Sequence, residues 1–541
     1  MTRHSRAPFL ANLAIRFLVT LSAFVLLCVP QVLAQSYQDK VKEKLATVDS
    51  ETSHGEFHPD WSSLGRYQVP EWYRDAKFGI FIHWGVYSVP AFENEWYPRN
   101  MYQEGSTAFQ HHLEIYGPQS KFGYKDFIPM FTAARFNPDD WADLFQRAGA
   151  KYVVPVAEHC DGFPMYASDF TAWNASLMGP KRDVVGEIAQ AVRRRGLYFG
   201  LSSHRAEHWW WYNGGTKFDS DVNDPKNAGI YGPAEPATLP ADPSGKSPDP
   251  NHLERWLPPD KQFLDDWLAR STELVDKYQP QVFYFDWWIE QPAFSPYRQR
   301  LAAYYYDRAS EWKKGVVLTY KDFAFPENAA LLDIERGKLD TVRLLPWQTD
   351  TSISIKSWGY AKGDSYRTAK SLIAELVDVV SKNGNLLLNV GPKSDGTIPD
   401  EAKNILLAMG EWLRVNGEAI YGTRPWVVYG EGPTSDAASR KMGSDTVTYT
   451  AQDVRFTSKG SAVYAIELGW PEEGRLTIRS LWKGTPYLSQ ITQIELLGSD
   501  AKLRWRQSGE GLTIDLPSTK PNEIAYVLKI SSADIRAGDS R

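Results

Sequence analysis

An acidic residue inside an aromatic run is the strongest chemical signal in the sequence. The run covers residues 282–288, and Asp286 interrupts it at the point where a buried strand would end. Burying an unpaired carboxylate costs free energy, so a carboxylate here needs a structural or a chemical purpose. Asp286 could cap the following turn. The alternative is a carboxylate nucleophile in an aromatic-walled pocket, kept ionised by nearby hydrogen-bond donors.

A carboxylate nucleophile acting on a glycoside requires a second carboxyl group about 5–5.5 Å away, with a pKa high enough to donate a proton. Three glutamates are candidates for this acid: Glu335, Glu290 and Glu95. Each of them also fits an ordinary solvated loop residue. The residues alone barely rank the three, so all remain open at this point.

Three histidines follow successive strand candidates: His83, His159 and His204. They could be metal ligands, but no His-x-His pair follows the first strand and no further carboxylate completes a ligand set. We therefore expect no metal, and neutral imidazoles that bind hydroxyl groups fit the pattern better. Cys160, next to His159, could be a thiol nucleophile, but a small buried apolar residue is the favoured interpretation.

The elements that carry these residues are short apolar runs alternating with amphipathic helical stretches between about residues 75 and 391. Their nearly continuous apolar character is typical of parallel strands covered on both faces. We predict an α/β fold with a (β/α)8-like barrel, in which the carboxyl ends of the strands meet at one face. No glycine-rich phosphate loop supports a doubly wound sheet. The predicted strands lie in residues 78–85, 151–158, 197–203, 282–288, 315–320, 341–347 and 385–391.

The pattern changes after residue 425, where short alternating runs are separated by Gly, Asn, Asp and Pro turns. This pattern predicts an antiparallel β-sandwich over residues 426–541, with its first strand at 445–451. The catalytic barrel domain is then 35–425. The segment 205–260 has no apolar period and is predicted to be a long insertion that shapes the mouth of the pocket.

The amino terminus has the composition of a secretory signal peptide. Residues 1–16 contain three arginines and no acid, residues 17–30 are apolar, and small residues precede Gln35. The apolar run is too short for a typical membrane span of about 20 residues. We expect cleavage of 1–34 between Ala34 and Gln35, a secreted or periplasmic protein, and no membrane association afterwards.

The composition of the chain excludes several classes of protein. The chain has 541 residues with a net charge of −6 and no long run of one sign, so nucleic acid is not an expected partner. Its two cysteines, Cys28 and Cys160, exclude a disulfide framework. The 73 aromatic residues imply either a large aromatic core or ring platforms for a ligand with apolar faces, such as a sugar.

Five segments together resemble the α-L-fucosidases of glycoside hydrolase family 29, in the order of that family. The resemblance implies a (β/α)8-like catalytic domain followed by a β-sandwich. It also implies a retaining double displacement without metal or organic cofactor, acting on a fucosylated oligosaccharide or glycoconjugate. The segments are residues 77–102, 158–163, 284–288, 346–360 and 381–399.

The resemblance also implies roles for individual residues. Asp286 matches the nucleophile, and Glu335, in the ERG segment before PWQTD, matches the region that carries the acid and base in some members. Family members commonly have a second histidine where this chain has Cys160, which removes one sugar contact that His204 is expected to replace. The residues expected to bind the sugar or to form the pocket wall are His83, Trp84, Glu95, Trp96, His159, His204, Trp347 and Gln348.

Two rival functions remain at this point. A binding protein could keep the fold and lose turnover, since Cys160 departs from the family pattern. A barrel glycosidase could instead act on another sugar of similar stereochemistry, such as galactose. The β-sandwich could bind sugar or only support the barrel helices, and support is the favoured interpretation.

Overall fold

A computed structural model describes residues 37–237, 253, 256–434 and 447–536. The predicted signal peptide at 1–34 lies outside the described residues, as does part of the insertion at 205–260. Within the described part of the chain, no helix is both long enough and apolar enough to cross a membrane.

Eight parallel strands form the first sheet, in the order β6-β5-β4-β3-β2-β1-β8-β7. A bridge between Asp333 and Gln348 joins its two edges, so the sheet is a nearly closed barrel. The strands are β1 (Phe78–Ile82), β2 (Tyr152–Glu158), β3 (Tyr198–Ser203), β4 (Val282–Phe285), β5 (Val317–Tyr320), β6 (Leu331–Leu332), β7 (Trp347–Ser352) and β8 (Gly384–Val390).

Helices connect these strands and cover the outside of the barrel. A typical one, Pro138–Arg147, begins after Asn137, whose side chain accepts from the amide of Asp139. The helices are residues 37–54, Trp61–Leu64, Glu71–Ala76, Tyr97–Asn100, Thr107–Ile115, Pro138–Arg147, Val184–Arg194, Ala228–Tyr231, Lys261–Tyr278, Ser295–Trp312, Ala369–Ser381 and Asp400–Asn416.

Two antiparallel sheets follow the barrel and enclose a second apolar core. One has the order β13-β16-β11-β10-β9 and the other β12-β15-β14. The strands are β9 (Arg424–Glu431), β10 (Val454–Lys459), β11 (Ala462–Glu467), β12 (Arg475–Ile478), β13 (Ile491–Leu496), β14 (Arg504–Ser508), β15 (Gly511–Asp515) and β16 (Tyr526–Ser532).

A buried ion cluster joins the sandwich to the barrel. Asp378, in the helix Ala369–Ser381, accepts from Arg455 of β10 at 2.6 Å and from Lys382 at 2.9 Å. We call these three residues the Asp378 cluster. Burial opposes the charge of Asp378, but Lys382 and Arg455 outweigh it and lower the pKa of this carboxyl. The sandwich is therefore fixed against a barrel helix through a paired carboxylate.

The predicted fold class, a (β/α)8-like barrel followed by an antiparallel β-sandwich, is confirmed. Two predicted strands are wrong. Residues 447–451 form no strand, and 341–346 form a loop that leads to a strand beginning at Trp347. Pro346 lacks the amide hydrogen that a ladder needs, which is consistent with a strand starting after it. The domain division at residue 425 stays a prediction.

Candidate active site

A cavity of about 300 Å³ opens at the carboxyl ends of the barrel strands. It receives side chains that directly follow β1, β2, β3 and β4, together with residues of the later loops. Its walls therefore combine carboxyl groups, imidazoles and aromatic rings. The lining residues are His83, Glu95, Trp96, His159, Cys160, His204, Glu207, Tyr284, Asp286, Trp287, Glu335, Asp350 and Trp358.

Asp286 directly follows β4, and its carboxylate is held by a histidine and a lysine. Its Oδ2 accepts from Nδ1 of His204 at 2.7 Å, and its Oδ1 lies 3.8 Å from Nζ of Lys321. Burial opposes the charge, but His204 and Lys321 outweigh it and keep the pKa of Asp286 below its usual range. This carboxylate stays ionised although only 16% of its side chain is exposed.

Lys321 follows β5 and lies at the centre of a group of acidic side chains. Its Nζ is 3.3 Å from Asp333, 3.1 Å from Glu335 and 3.2 Å from Asp350. We call Lys321 and its four carboxylates, Asp286 included, the Lys321 cluster. Burial opposes the charge of Lys321, but the surrounding carboxyl groups outweigh it and raise the pKa of Lys321.

Glu335 lies in the loop after β6 and meets Asp286 across Lys321. The two distances from Lys321 Nζ, 3.8 and 3.1 Å, limit the separation of Asp286 Oδ1 and Glu335 Oε2 to 6.9 Å. Retaining glycosidases place their carboxyl groups about 5–5.5 Å apart, and inverting ones about 6.5–9.5 Å apart. A separation of at most 6.9 Å is compatible with the retaining geometry and with only the shortest distances of the inverting geometry.

The carboxyl group of Glu335 is held through a single oxygen. Its Oε2 accepts from Nε1 of Trp287 at 2.5 Å and from Lys321. Burial raises the pKa of Glu335; Lys321 opposes this shift, while Asp350 and Asp286 add to it. The result is a carboxyl group that retains its proton at a higher pH than an ordinary glutamate, beside a carboxylate that does not.

His83 and His159 bring neutral imidazoles to the cavity. Nδ1 of His83 is 2.8 Å from Oδ1 of Asn389, whose amide nitrogen donates elsewhere, so Nδ1 carries the hydrogen and Nε2 is an acceptor. Burial lowers the pKa of both histidines well below the usual range. Nδ1 of His159 is buried without a hydrogen-bond partner in the described structure.

The three histidines lie close together, with one nitrogen of each within 4.8 Å of the others. His204 already uses both nitrogens, Nδ1 on Asp286 and Nε2 with Ser202 Oγ at 3.0 Å. It is therefore a neighbour of the carboxylate rather than a freely available ligand. A contact between His204 and the sugar stays a prediction.

Two family models match almost the whole described chain. A model of alpha-L-fucosidases matches residues 44–418, and a model of the alpha-L-fucosidase C-terminal domain matches 444–531. The tissue alpha-L-fucosidase of Rattus norvegicus is 35% identical over 497 residues, which are 88% of this chain and 93% of that protein.

The chain belongs to the α-L-fucosidase family. The plasma alpha-L-fucosidase of Homo sapiens is 33% identical, over 85% of this chain and 88% of that protein. The structure of the Thermotoga maritima alpha-fucosidase in complex with fucose superposes with a TM-score of 0.68 at 31% identity, covering 88% of this chain and all of that one. The predicted resemblance is confirmed.

The enzyme is therefore a glycoside hydrolase, an α-L-fucosidase. Neither a binding protein without turnover nor a galactosidase is favoured by any of these findings. Asp286 and Glu335, the two carboxyl groups expected to act in a retaining reaction, both line one cavity. The substitution at Cys160 leaves this pair intact.

The three glutamates proposed as the acid occupy different surroundings. Glu335 is the one beside Lys321. Glu95 lines the cavity, but its Oε2 accepts from Ser357 Oγ and from the amides of Trp358 and Gly359, which hold its side chain against that loop. Glu290 does not line the cavity, although burial raises its pKa to about 7.

Three residues expected at the sugar do not line the cavity. Trp84 packs among aromatic rings behind β1 and donates to the carbonyl of Lys393. Trp347 and Gln348 lie at the start of β7, because this strand begins at 347 rather than ending there. Gln348 is bonded to Asp333 and to the hydroxyl of Tyr73 inside the barrel. Of the expected tryptophans, Trp96 lines the cavity.

Four residues at the site were not predicted from the sequence: Lys321, Asp350, Trp358 and Glu207. The first of these had a usable signal, since Lys321 directly follows a predicted strand as His159 and His204 do. Asp350 lies within β7, whose residues are mostly polar, so no apolar pattern indicates a strand there. Glu207 lies in the insertion, one turn beyond His204.

Proposed function

We propose that the enzyme hydrolyses α-L-fucosyl glycans by a double displacement in which Asp286 is the nucleophile and Glu335 the general acid and base. The observation that carries this proposal is Lys321, which brings the two carboxyl groups within 6.9 Å in one cavity. A carboxylate of lowered pKa beside a carboxyl group of raised pKa is the division that a retaining glycosidase uses.

In the first step Asp286 attacks the anomeric carbon while Glu335 gives its proton to the departing oxygen. A C–O bond forms to Asp286, and the bond to the leaving group breaks. Because Trp287 and Lys321 both hold Oε2 of Glu335, its Oε1 is the atom available to carry that proton. The product is a fucosyl ester of Asp286 and a free alcohol.

In the second step Glu335 accepts a proton from water, which attacks the anomeric carbon and releases Asp286. Formation of the ester removes the negative charge of Asp286, one of the charges that raised the pKa of Glu335. The pKa of Glu335 therefore falls between the steps, as a group that changes from acid to base requires.

The remaining cavity residues support sugar binding. Nε2 of His83 and the carboxylate of Glu95 are acceptors for sugar hydroxyl groups, and Trp96, Trp287 and Trp358 offer apolar faces to the ring and its methyl group. His204 acts as a positioning residue, because its hydrogen bond fixes the nucleophile. His159 lines the same cavity and adds a further imidazole to the sugar site.

Replacing the nucleophile tests this assignment. Asp286→Gly should reduce hydrolysis of an aryl α-L-fucoside by roughly 10⁴-fold or more. Azide should restore turnover by entering the space of the lost carboxylate, and the product should be β-L-fucosyl azide. Near-native hydrolysis by the variant, or rescue that yields the α-azide, would contradict the role of Asp286.

We also propose that the enzyme is exported after cleavage between Ala34 and Gln35. The support is the basic and apolar pattern of residues 1–34. Amino-terminal sequencing of the protein recovered from the periplasm or medium should start at Gln35. Recovery of an intact amino terminus from the cytoplasm alone would contradict export.

A further inference from the structure

A carboxyl group of the segment after β3 lines the cavity and has no part in the double displacement. Glu207 belongs to the 3₁₀ helix Arg205–Trp209 and is 3% exposed. In a 3₁₀ helix, residues three apart lie on the same side, so Glu207 shares the cavity side with His204, the residue before the helix. Because Asp286 and Glu335 are the proposed nucleophile and acid, the buried carboxyl group of Glu207 needs a different role.

Its neighbours in the same helix turn away from the cavity. Arg205 donates to Glu158 at 2.6 Å, and Nδ1 of His208 is 2.9 Å from the carbonyl oxygen of Cys160. His208 also approaches Gly162 so closely that a Cβ there would lie 2.3 Å from its ring, and Gly162 has a φ of +74°. The loop at 160–162 and the 3₁₀ helix are thus packed tightly together.

Cys160 completes this contact through its side chain. Its Sγ donates to Oε2 of Glu207 at 2.9 Å, and both residues line the cavity. This hydrogen bond occupies Oε2 of Glu207 and restricts the orientation of its carboxyl group. Oε1 is then the atom of Glu207 available to a bound sugar.

The charge state of Glu207 follows from its surroundings. Burial, reinforced by the negative charge of Asp286, raises the pKa of this carboxyl group well above its usual range. A neutral carboxyl group has one hydrogen to donate. Because Oε2 already accepts from the Cys160 thiol, the hydrogen is placed on Oε1, facing the cavity.

Such a donor complements the other polar groups around the sugar. The carboxylate of Glu95 and Nε2 of His83 can only accept, so they bind hydroxyl groups that donate. A sugar hydroxyl that donates to one of them still has lone pairs to satisfy. A neutral carboxyl group meets this need without adding a second negative charge beside Asp286.

We propose that Glu207 is a sugar-binding residue, held by the Cys160 thiol as a neutral carboxylic acid that donates the hydrogen on Oε1 to one hydroxyl group of the bound fucose. This rests on the proposed function, because it assigns the sugar to the same cavity.

The test pairs enzyme variants with substrates that lack single hydroxyl groups. Glu207→Ala should lower kcat/KM for an aryl α-L-fucoside by about 10- to 100-fold, the loss expected when a buried hydrogen bond is removed. For one of the 2-, 3- and 4-deoxy fucosides, wild type and Glu207→Ala should be equally active, because the partner hydroxyl is already absent. Glu207→Gln, which keeps an N–H donor, should recover part of the loss.

Two outcomes would overturn the proposal. One is an equal loss for Glu207→Ala on the parent and all three deoxy substrates, which would mean that the residue acts only on the protein. The other is unchanged kcat/KM in Glu207→Ala. Turnover of Asp286→Gly with azide is measured separately, so failure of the nucleophile assignment is distinguishable from failure of this one.

Infrared spectroscopy gives a readout that does not depend on activity. The difference spectrum of wild type minus Glu207→Gln at neutral pH should contain the C=O band of a protonated carboxylic acid. The S–H band that Cys160→Ala removes should shift in Glu207→Ala, which retains the thiol but lacks its acceptor. A carboxylate band in place of the acid band, or an unshifted S–H band, would contradict the neutral, thiol-bonded Glu207.

Discussion

Two clusters of buried charged side chains differ in their balance of charge and in their access to solvent. The Lys321 cluster has one cation for four carboxylates, and its Asp286 and Glu335 open to the cavity. The Asp378 cluster has one carboxylate for two cations, and the Asp378 side chain is 0% exposed.

This difference in balance explains why one cluster can do chemistry and the other cannot. Where carboxylates exceed cations in a buried space, they do not all ionise easily, so burial and the repulsion from Asp350 and Asp286 raise the pKa of Glu335. Where cations exceed carboxylates, the pKa of Asp378 falls and the group holds no transferable proton near neutral pH. The Lys321 cluster therefore provides a carboxyl group of raised pKa, whereas the Asp378 cluster holds the β-sandwich against a barrel helix.

Removing the acid should give the largest effect in the Lys321 cluster. Glu335→Ala should lower kcat/KM for a fucosyl disaccharide by roughly 10²–10⁴-fold, the contribution of a general acid. The loss should be much smaller for a 2,4-dinitrophenyl fucoside, whose leaving group departs without a proton. Steady-state kinetics with both substrates measure this difference.

Glu290→Gln is the matched control for that measurement, since Glu290 also has a raised pKa but lies outside the cavity lining. It should leave both rates near those of wild type. An equal loss on the two substrates in Glu335→Ala, or a leaving-group effect in Glu290→Gln instead, would assign the acid differently.

The Asp378 cluster should respond in stability instead of activity. Asp378→Asn removes the carboxylate that Arg455 and Lys382 share, so the free energy of unfolding should fall by about 3–5 kcal/mol. At a temperature where the variant is folded, kcat/KM should be unchanged. Denaturant unfolding and an aryl fucoside assay check the two halves of this prediction.

The pH dependence of that loss has a definite sign. A carboxyl with a lowered folded pKa contributes stability above its unfolded pKa, about 3.9, and loses it as the pH falls through the folded value. The stability gap between wild type and Asp378→Asn should therefore be constant near neutral pH and narrow only below about pH 4. A gap that narrows towards alkaline pH would contradict the lowered pKa.

Lys321 should set the pH at which the proposed acid, Glu335, loses its proton. Lys321→Met removes a cation that lowers the pKa of Glu335, so Glu335 should keep its proton to higher pH. The alkaline limb of kcat/KM against pH should move upwards by about 1–3 units. Lys321→Arg, which keeps the charge, should leave the limb near its wild-type position, and a downward shift in Lys321→Met would be contrary to the electrostatic role.

The sequence predicts most of the barrel because β1 to β5 and β8 are apolar on both faces, and burial alone marks them. It fails at β7, whose buried residues include Gln348, Asp350 and Ser352. These polar groups are stable inside the barrel only because they bond to partners from distant segments, such as Lys321 and Asn389. No local pattern contains that information.

The candidate site shows the same division. Asp286, His83, His159 and His204 could be predicted because each directly follows a recognisable strand. Trp84 and Trp347 do not line the cavity, because a nearby motif does not determine which way a ring points. Glu207 depends on a 3₁₀ turn inside an insertion without periodicity, and its bond to Cys160 joins residues 47 positions apart.

A surface ion pair completes the comparison with the smallest expected effect. Arg475 and Asp515 lie 3.0 Å apart on neighbouring strands of the sandwich, with 64% and 50% of their side chains exposed. Water solvates both groups before and after folding, and the side chains lose entropy in forming the pair. Asp515→Asn should therefore change the free energy of unfolding by about 0–1 kcal/mol, and less at high salt. If this variant were as destabilised as Asp378→Asn, burial would not be what makes the Asp378 cluster stabilising, and the contrast between the two clusters would have to rest on charge balance alone.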